Sequence, residues 1–415
     1  MARVRVRCAR GTLVGVVEFA IHRGSVARGP AALASWPTRG EEGVAALSSS
    51  IQVDNAAELG VDAEAIQAFF AEHWKRRIAL EVPSFYRWQF TQAPANAGLD
   101  RCCVVLDDRE ILGVMGLNER PFQLGGSARS GAELTTWIVK EGAQGRGVGK
   151  QILSYLQGQY DVLLGMGITA AALPLYRSRG FAYLRQIPRF VRVFDAGAIG
   201  PYARIDRLAE ILIARHRDPS FPAYRAESRP VPDLAPNAER MQAGFNLFVR
   251  DVEHLRWRYQ EHPVFSYRAF QIEGEGSGVG IVLRVDDVEG MRVVHILDCF
   301  GDEGDMPAAL GFIEEFCRDE GAHVVDFYCT TPRISRHFCY RGWFSVENDE
   351  FFRFAHLFHP PELREPPTTS LAYWSRDEMP ALMDVGQMYV TKQDLDLDRP
   401  TATTYEARAG QGEAV

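Results

Sequence analysis

The spacing of apolar residues changes period several times between residues 51 and 197. "DAEAIQAFFAEHWKRRI" sets Ile66, Phe69, Phe70 and Trp74 on one stripe at helical spacing, and "SFYRWQF" predicts a shorter helix. Strand-like alternation follows in "CCVVLD", "ILGVMGLN" and "AELTTWIV". A helix running to about Gly158, a strand at "DVLLGMGI", a short helix at "LPLYRSR" and strands at "FAYLRQ" and "RFVRVF" complete the run. This order predicts an α+β unit with an antiparallel front and one parallel strand–helix–strand step.

The pattern then returns. "RWQFTQAP" (from Arg87) reappears as "RWRYQEHP" (from Arg256), and "LYRSRGF" (from Leu175) as "HFCYRGW" (from His337). Two anchors in the same order predict two equivalent units. The expected organisation is an extension outside the fold at 1–50, a first unit at 51–197, a Pro-rich linker at 198–224, a second unit at 225–358 and a polar tail at 359–415. The Arg-rich start, "MARVRVRCARGTLVGVVEFAIHRG", imitates a signal peptide but lacks its small-residue cleavage site.

Composition narrows the function classes. Apolar residues are 46% of the 415 and charged residues 24%, enough for a sizeable core. A net charge of −8 argues against a nucleic-acid binder, and the absence of a long apolar run against a membrane span. Seven cysteines with no Cys-x-x-Cys pair suit a reduced cytoplasm, with adjacent Cys102 and Cys103 on opposite faces of a strand. In "DLDLDRP", Asp394, Asp396 and Asp398 alternate, but Arg399 stands where a calcium loop needs glycine, and no metal is expected.

The chemistry concentrates in "QGRGVGK", Gln144 to Lys150, where a strand hands over to a helix. Helix-start N–H groups and closely approaching glycine backbone suit a phosphate. A nucleotide P-loop fails here, because glutamines stand at its first glycine and at its Ser/Thr. A dinucleotide fingerprint fails because Lys150 takes its last glycine. Gln144, Gly147 and Gly149 do fit the pattern [RQ]-x-x-G-x-[GA].

With "LPLYRSRGF" about 30 residues on, the segment resembles the GCN5-related N-acetyltransferases, the GNAT superfamily. The resemblance is strong over 134–181 and weaker across 51–358. It implies two tandem GNAT-like units, each a mixed, mostly antiparallel twisted sheet flanked by helices. It implies acyl-CoA, most simply acetyl-CoA, as co-substrate, its pyrophosphate held by Gln144, Gly145, Arg146, Gly147, Val148, Gly149 and Lys150. A backbone N–H at Ile138 or Val139 would polarise the thioester carbonyl, and Tyr176 would protonate the leaving thiolate. Thr169 departs from the family's usual asparagine. The base is open between Glu133 and Glu119; alternation puts Glu133, Thr135 and Trp137 on one face.

In the second unit Phe338 replaces the tyrosine, and Asp302, Glu303 and Asp305 stand where the pyrophosphate would sit. One acyl-CoA site is therefore expected, with the degenerate unit walling the acceptor side. Such two-unit proteins occur among polysaccharide and amino-sugar gene clusters, which points to a small polar amine acceptor such as a nucleotide-linked amino sugar, with no nucleic-acid or membrane partner. Alternatives are a Fem-type aminoacyl transferase and a non-catalytic acyl-CoA-binding scaffold. Oligomeric state is not legible.

Overall fold

The computed structural model describes residues 51–216, 220–358, 361–394 and 397–412, so the expected extension at 1–50 lies outside the described residues. In the first half, β1 (Ile51–Asn55), β2 (Cys103–Asp107), β3 (Glu110–Glu119) and β4 (Gly131–Val139) pair antiparallel in that order. After α3 (Val148–Gln159), β5 (Val162–Met166) joins β4 in parallel. Helices α1 (Ala63–His73) and α2 (Pro83–Phe90) cover one face, and α3 the other. Cys102 enters the α1–α2 core and Cys103 the α3 core, as alternation requires.

The helix predicted from Asp62 stops at His73, short of its expected end. Trp74 turns extended, and Ile78 is drawn into a β-bridge with Thr401 of the C-terminal segment. Then come α4 (Leu173–Ser178), β6 (Ala182–Leu184) and β7 (Arg189–Val193).

The second half repeats the plan. It runs through β8 (Arg225–Ser228), α5 (Val252–Leu255, continued by a π turn at Arg256–Gln260), β9 (Arg268–Glu273), β10 (Val279–Val288) and β11 (Met291–Gly301). α6 (Met306–Asp319), β12 (Val324–Tyr328), α7 (Pro332–Tyr340) and β13 (Phe344–Ser345) follow, and β14 (Leu371–Ser375) comes last.

The strand orders are β1-β2-β3-β4-β5-β14-β6 and β8-β9-β10-β11-β12-β7-β13. The repeat extends to register. β4 and β5 pair from Gly131 with Val162 to Leu134 with Gly165, and β11 and β12 from Val293 with Val324 to Ile296 with Phe327. Each sheet also has a bulge at the corresponding place, after Met115 in one and after Val282 in the other.

The sixth position of each sheet is filled by the other half of the chain. β7, expected to finish the first unit, lies antiparallel between β12 and β13. β14, from the expected tail, lies antiparallel between β5 and β6. Residues 359–415 are thus no polar tail, and the expected unit boundaries cut across two exchanged strands. Nor is 198–224 a plain linker: Ala203–Ile205 pairs with Phe352–Phe354, and Arg207–Arg215 is helical. The described residues form one compact unit.

The alternating aspartates are buried rather than solvated. Asp394 pairs with Arg120 (3.0 Å) and Arg250 (2.7 Å), and Asp398 with Arg284 (2.7 Å) and Arg258 (3.3 Å). Burial alone would raise Asp398, but the guanidiniums of Arg284 and Arg258 outweigh it and hold the carboxyl well below the usual range. Asp396 lies outside the described residues.

Candidate active site

The glycine loop folds as a turn leading into α3. Gly145 and Gly147 adopt φ of +78° and +89°, and Gly147 caps the helix without a side-chain bond. The first-turn N–H groups of Val148, Gly149 and Lys150 have no acceptor within the helix. Gly149 is needed for space: a Cβ there would lie 2.8 Å from Trp137 and 2.9 Å from Leu175. Val148 is buried against Gly113, and Gln144 folds back so that its Nε2 donates to the Val139 carbonyl (3.1 Å). Arg146 leans toward Asp107 (3.9 Å), and Lys150 is exposed. The loop forms one wall of a cleft of about 470 Å³; Thr169, Ala172 and Leu175 form the opposite wall.

Strand β4 sets the rest of the site. Its pairing with β5 ends at Leu134 and Gly165, so the two strands part beyond that point. Lys140 N–H donates to the Leu112 carbonyl (2.9 Å) on β3. Successive N–H groups of a strand point to opposite sides, so Val139 and Trp137 present theirs to the open side and Ile138 presents its own to β3. Of the two donors expected, Val139 is therefore the one available; the backbone of Trp137 joins it, and the sequence reading missed it.

The bulge also overturns the predicted face. With Thr135 and Thr136 both opposite Gly116, Trp137 falls on the α3 side while Glu133 stays on the α2 side. Trp137 stands edge-to-face with Tyr176 (5.4 Å), and a Cβ on Gly116 would meet Thr135 and Phe90 instead.

Tyr176 is buried between Trp137 and Phe181, the latter at 5.0 Å. Its hydroxyl lies beside Gly165, where a Cβ would be 3.5 Å away, at the point where β4 and β5 separate. Glu133 is buried on the other side of the sheet, its Oε1 2.5 Å from Arg120 Nη1. Tyr176 and Glu133 thus approach the strand gap from opposite faces. Glu119 is engaged by the Tyr160 hydroxyl (2.7 Å) and Arg101 (3.7 Å).

On the Glu133 side a second cavity, of about 200 Å³, opens between the halves of the chain. Asn118 and Glu133 face Asp251, His254 and Trp257 across it. A smaller pocket of about 20 Å³ shares Asn118, Glu133, His254 and Trp257 and adds Gln393. His254 and Arg120 went unnoticed in the sequence; the one signal was that His254 lies three residues before the repeat's Trp257.

The corresponding place in the second half keeps a cavity of about 270 Å³, but it is lined by Asp302 and Glu303, and the loop's carboxylates are engaged by its own groups. Asp305 accepts from the N–H groups of Gly276 (2.9 Å) and Gly278 (2.8 Å), Asp302 from Ser277 (3.1 Å), and Glu303 pairs with Arg333. Phe338 packs on Phe327 and Trp343. Among the described residues, no group of three or more His, Cys, Asp or Glu side chains is placed to hold a metal ion, and no helix is long and apolar enough to cross a membrane.

Comparison with known proteins accords with this geometry. The acetyltransferase (GNAT) family model matches residues 64–181, which hold the loop and Tyr176. A GCN5-related N-acetyltransferase from Anabaena variabilis has a similar fold at 9% identity and a TM-score of 0.51, over 79% of this chain and 73% of that one. One from Kribbella flavida aligns at 14% identity over 78% and 70%, with a TM-score of 0.46. Saccharomyces cerevisiae N-myristoyltransferase with bound myristoyl-CoA aligns at 11% over 79% and 83%, with a TM-score of 0.45. No curated protein matches the sequence. The segment that holds the loop and the tyrosine thus matches the acetyltransferase (GNAT) family model, and the chain is similar in fold to a GCN5-related N-acetyltransferase.

Proposed function

We propose that the protein transfers an acetyl group from acetyl-CoA to the primary amine of a small polar acceptor. The observation that carries this reading is the approach of the two cavities to the gap between β4 and β5 from opposite faces of one sheet. The glycine-loop cleft would take coenzyme A, its pyrophosphate on the first-turn N–H groups of α3. The backbone N–H of Val139 or Trp137 would polarise the thioester carbonyl. Tyr176 would protonate the departing thiolate, and Glu133 would receive the acceptor amine on the seam side.

A short acyl group is supported by the crowding at the bulge. A single Cβ added at Gly116 would lie 2.4 Å from Thr135 and 2.6 Å from Phe90, which leaves little room for a chain. The seam cavity, at about 200 Å³, suits an amine-bearing arm or one sugar ring, such as the amino sugar of a nucleotide-linked donor whose nucleotide stays outside. The degenerate half would serve as the acceptor-side wall. Release of free thiol from acetyl-CoA across a panel of amines and amino sugars tests the proposal. Turnover with at least one amine is expected; binding of coenzyme A with no thiol release for any acceptor would leave a ligand-binding protein instead.

A further inference from the structure

Glu133 has a drawback as the group that removes the amine proton. Its carboxylate is already tied to Arg120 Nη1, which also donates to Asp394. Taking a proton would forfeit a buried ion pair. A second group faces the same space. His254 comes from the other half of the chain, at α5, where Asp251 accepts from its backbone N–H (2.8 Å). Its side chain borders both seam cavities, as Glu133 does.

The orientation of its ring follows from its neighbours. Gln393 Nε2 donates to Asp394 Oδ1 (2.5 Å), so Gln393 Oε1 is turned to His254 Nε2 (3.2 Å) and can only accept. That puts the ring proton on Nε2 and leaves a lone pair on Nδ1, which has no partner among the described residues. Burial, then the positive charge of Arg120 and more weakly those of Arg250 and Arg258, keep the imidazole neutral against the pull of the Gln393 bond.

We propose that His254, supplied by the half of the chain that has no acyl-CoA seat of its own, accepts the acceptor amine's proton on Nδ1 while Glu133 orients that amine. The inference rests on the acyltransfer reading above. The amine lone pair forms the C–N bond to the thioester carbon, and one N–H proton passes to Nδ1. The C–S bond then breaks, and the thiolate takes the Tyr176 proton. The imidazolium then gives its proton to solvent and Tyr176 regains one, so the products are an amide and free coenzyme A. The role also explains why a half whose own seat is acidic remains part of the site: it supplies the base.

The test compares the full-length chain with His254→Gln, which keeps a polar side chain but cannot take a proton. With an amine accepted by the wild type, kcat should fall about 10²–10⁴-fold while the dissociation constant of coenzyme A, read by calorimetry, stays unchanged. Weakly basic amines such as hydroxylamine, which shed the proton more readily, should recover much of the lost rate; a packing role would not give that pattern. Gln393→Leu, which frees the ring's tautomer, should lower kcat several-fold and also spare coenzyme A binding. Wild-type kcat in His254→Gln overturns the assignment, as does equal loss with weakly and strongly basic amines. If His254→Gln does not fold, an unchanged kcat in Gln393→Leu overturns it. A wild type that turns over no amine at all fails the acyltransfer reading, and this inference with it.

Discussion

Trp88 and Trp257 stack face to face across the seam, ring centroids 4.9 Å apart and planes 19° from parallel, and each indole N–H donates to the other residue's carbonyl (3.2 and 2.9 Å). The two are the matching tryptophans of the repeat, so the contact is a local two-fold relation between the halves. Trp88→Phe or Trp257→Phe keeps an aromatic ring but leaves one buried carbonyl unpaired, which should cost about 1–3 kcal/mol. Because both bonds belong to one reciprocal pair, the double variant should lose less than the sum of the singles. Urea unfolding of the three variants measures this; strict additivity would mean the bonds act independently.

Exchange of β7 and β14 ties the halves together more firmly than that contact does. A chain ending at residue 358 would lack β14 and so open the sheet between β5 and β6, directly behind the strand that flanks the acyl-CoA cleft. It should lose coenzyme A binding even though the loop and Tyr176 are intact. For the full-length protein, intrinsic fluorescence and circular dichroism should report one coincident unfolding transition. Two separated transitions would mean that the exchanged strands do not couple the halves.

Those strands show where the sequence is legible and where it is not. "RFVRV" and "LAYWS" have the alternation of strands, but nothing in either names its neighbours. Pairing is decided by which sheet has a gap at that height, a non-local property. The repeat anchors were legible because helix-borne tryptophans and a Gly-aromatic step are rare enough to recognise twice. The glycine loop was legible because positive φ and close approach to Trp137 leave glycine little alternative. The faces of Glu133 and Trp137 were misjudged because a bulge inserts one residue, and strict alternation cannot see it. The buried acids near the C-terminus looked like a solvated tail because their partners, Arg120, Arg250, Arg258 and Arg284, lie more than 100 residues away in sequence.

The loop makes a directional prediction. Gly149→Val would drive its Cβ into Trp137 and Leu175, at 2.8 and 2.9 Å, and tilt the start of α3 away from the sheet. Gly147→Glu meets no steric obstacle, but it forces a side chain to φ +89° and puts a negative charge at the anion seat. Both should abolish coenzyme A binding by calorimetry, Gly149→Val with a drop in melting temperature larger than that of Gly147→Glu. The wild type should bind one equivalent; two equivalents would mean that the acidic lining at Asp302 and Glu303 does not exclude a second pyrophosphate.

Tyr176→Phe separates chemistry from packing. The ring contacts to Trp137 and Phe181 survive the change, so stability should move little. If the hydroxyl protonates the thiolate, kcat falls about 10²–10⁴-fold with little change in KM. Steady-state kinetics beside a melting curve reads both. An unchanged kcat with chemistry rate-limiting would reduce Tyr176 to a core aromatic.

The buried histidines set how stability depends on pH. Burial and neighbouring positive charge hold His295 near 4 and His356 near 3, and push His254 well below its ordinary value. Each is neutral in the fold, whereas in the unfolded chain a histidine takes up its proton near about 6.5. Below that pH the unfolded state binds more protons, so stability is full above about pH 6.5 and falls as the pH drops toward the folded values. The loss per histidine is at most about 1.4 kcal/mol for each pH unit in that window. Asp326 and Asp398, held low by Lys392 and by Arg284 respectively against the effect of burial, add to the loss only below the ordinary carboxylate range. Unfolding free energies from urea titrations should therefore decline from pH 7 to pH 5, before the carboxylates contribute. Replacing His356, partly buried and outside both seam cavities, with Asn should make that decline shallower. A flat profile over the same interval would mean that these histidines open to solvent and take their protons without unfolding.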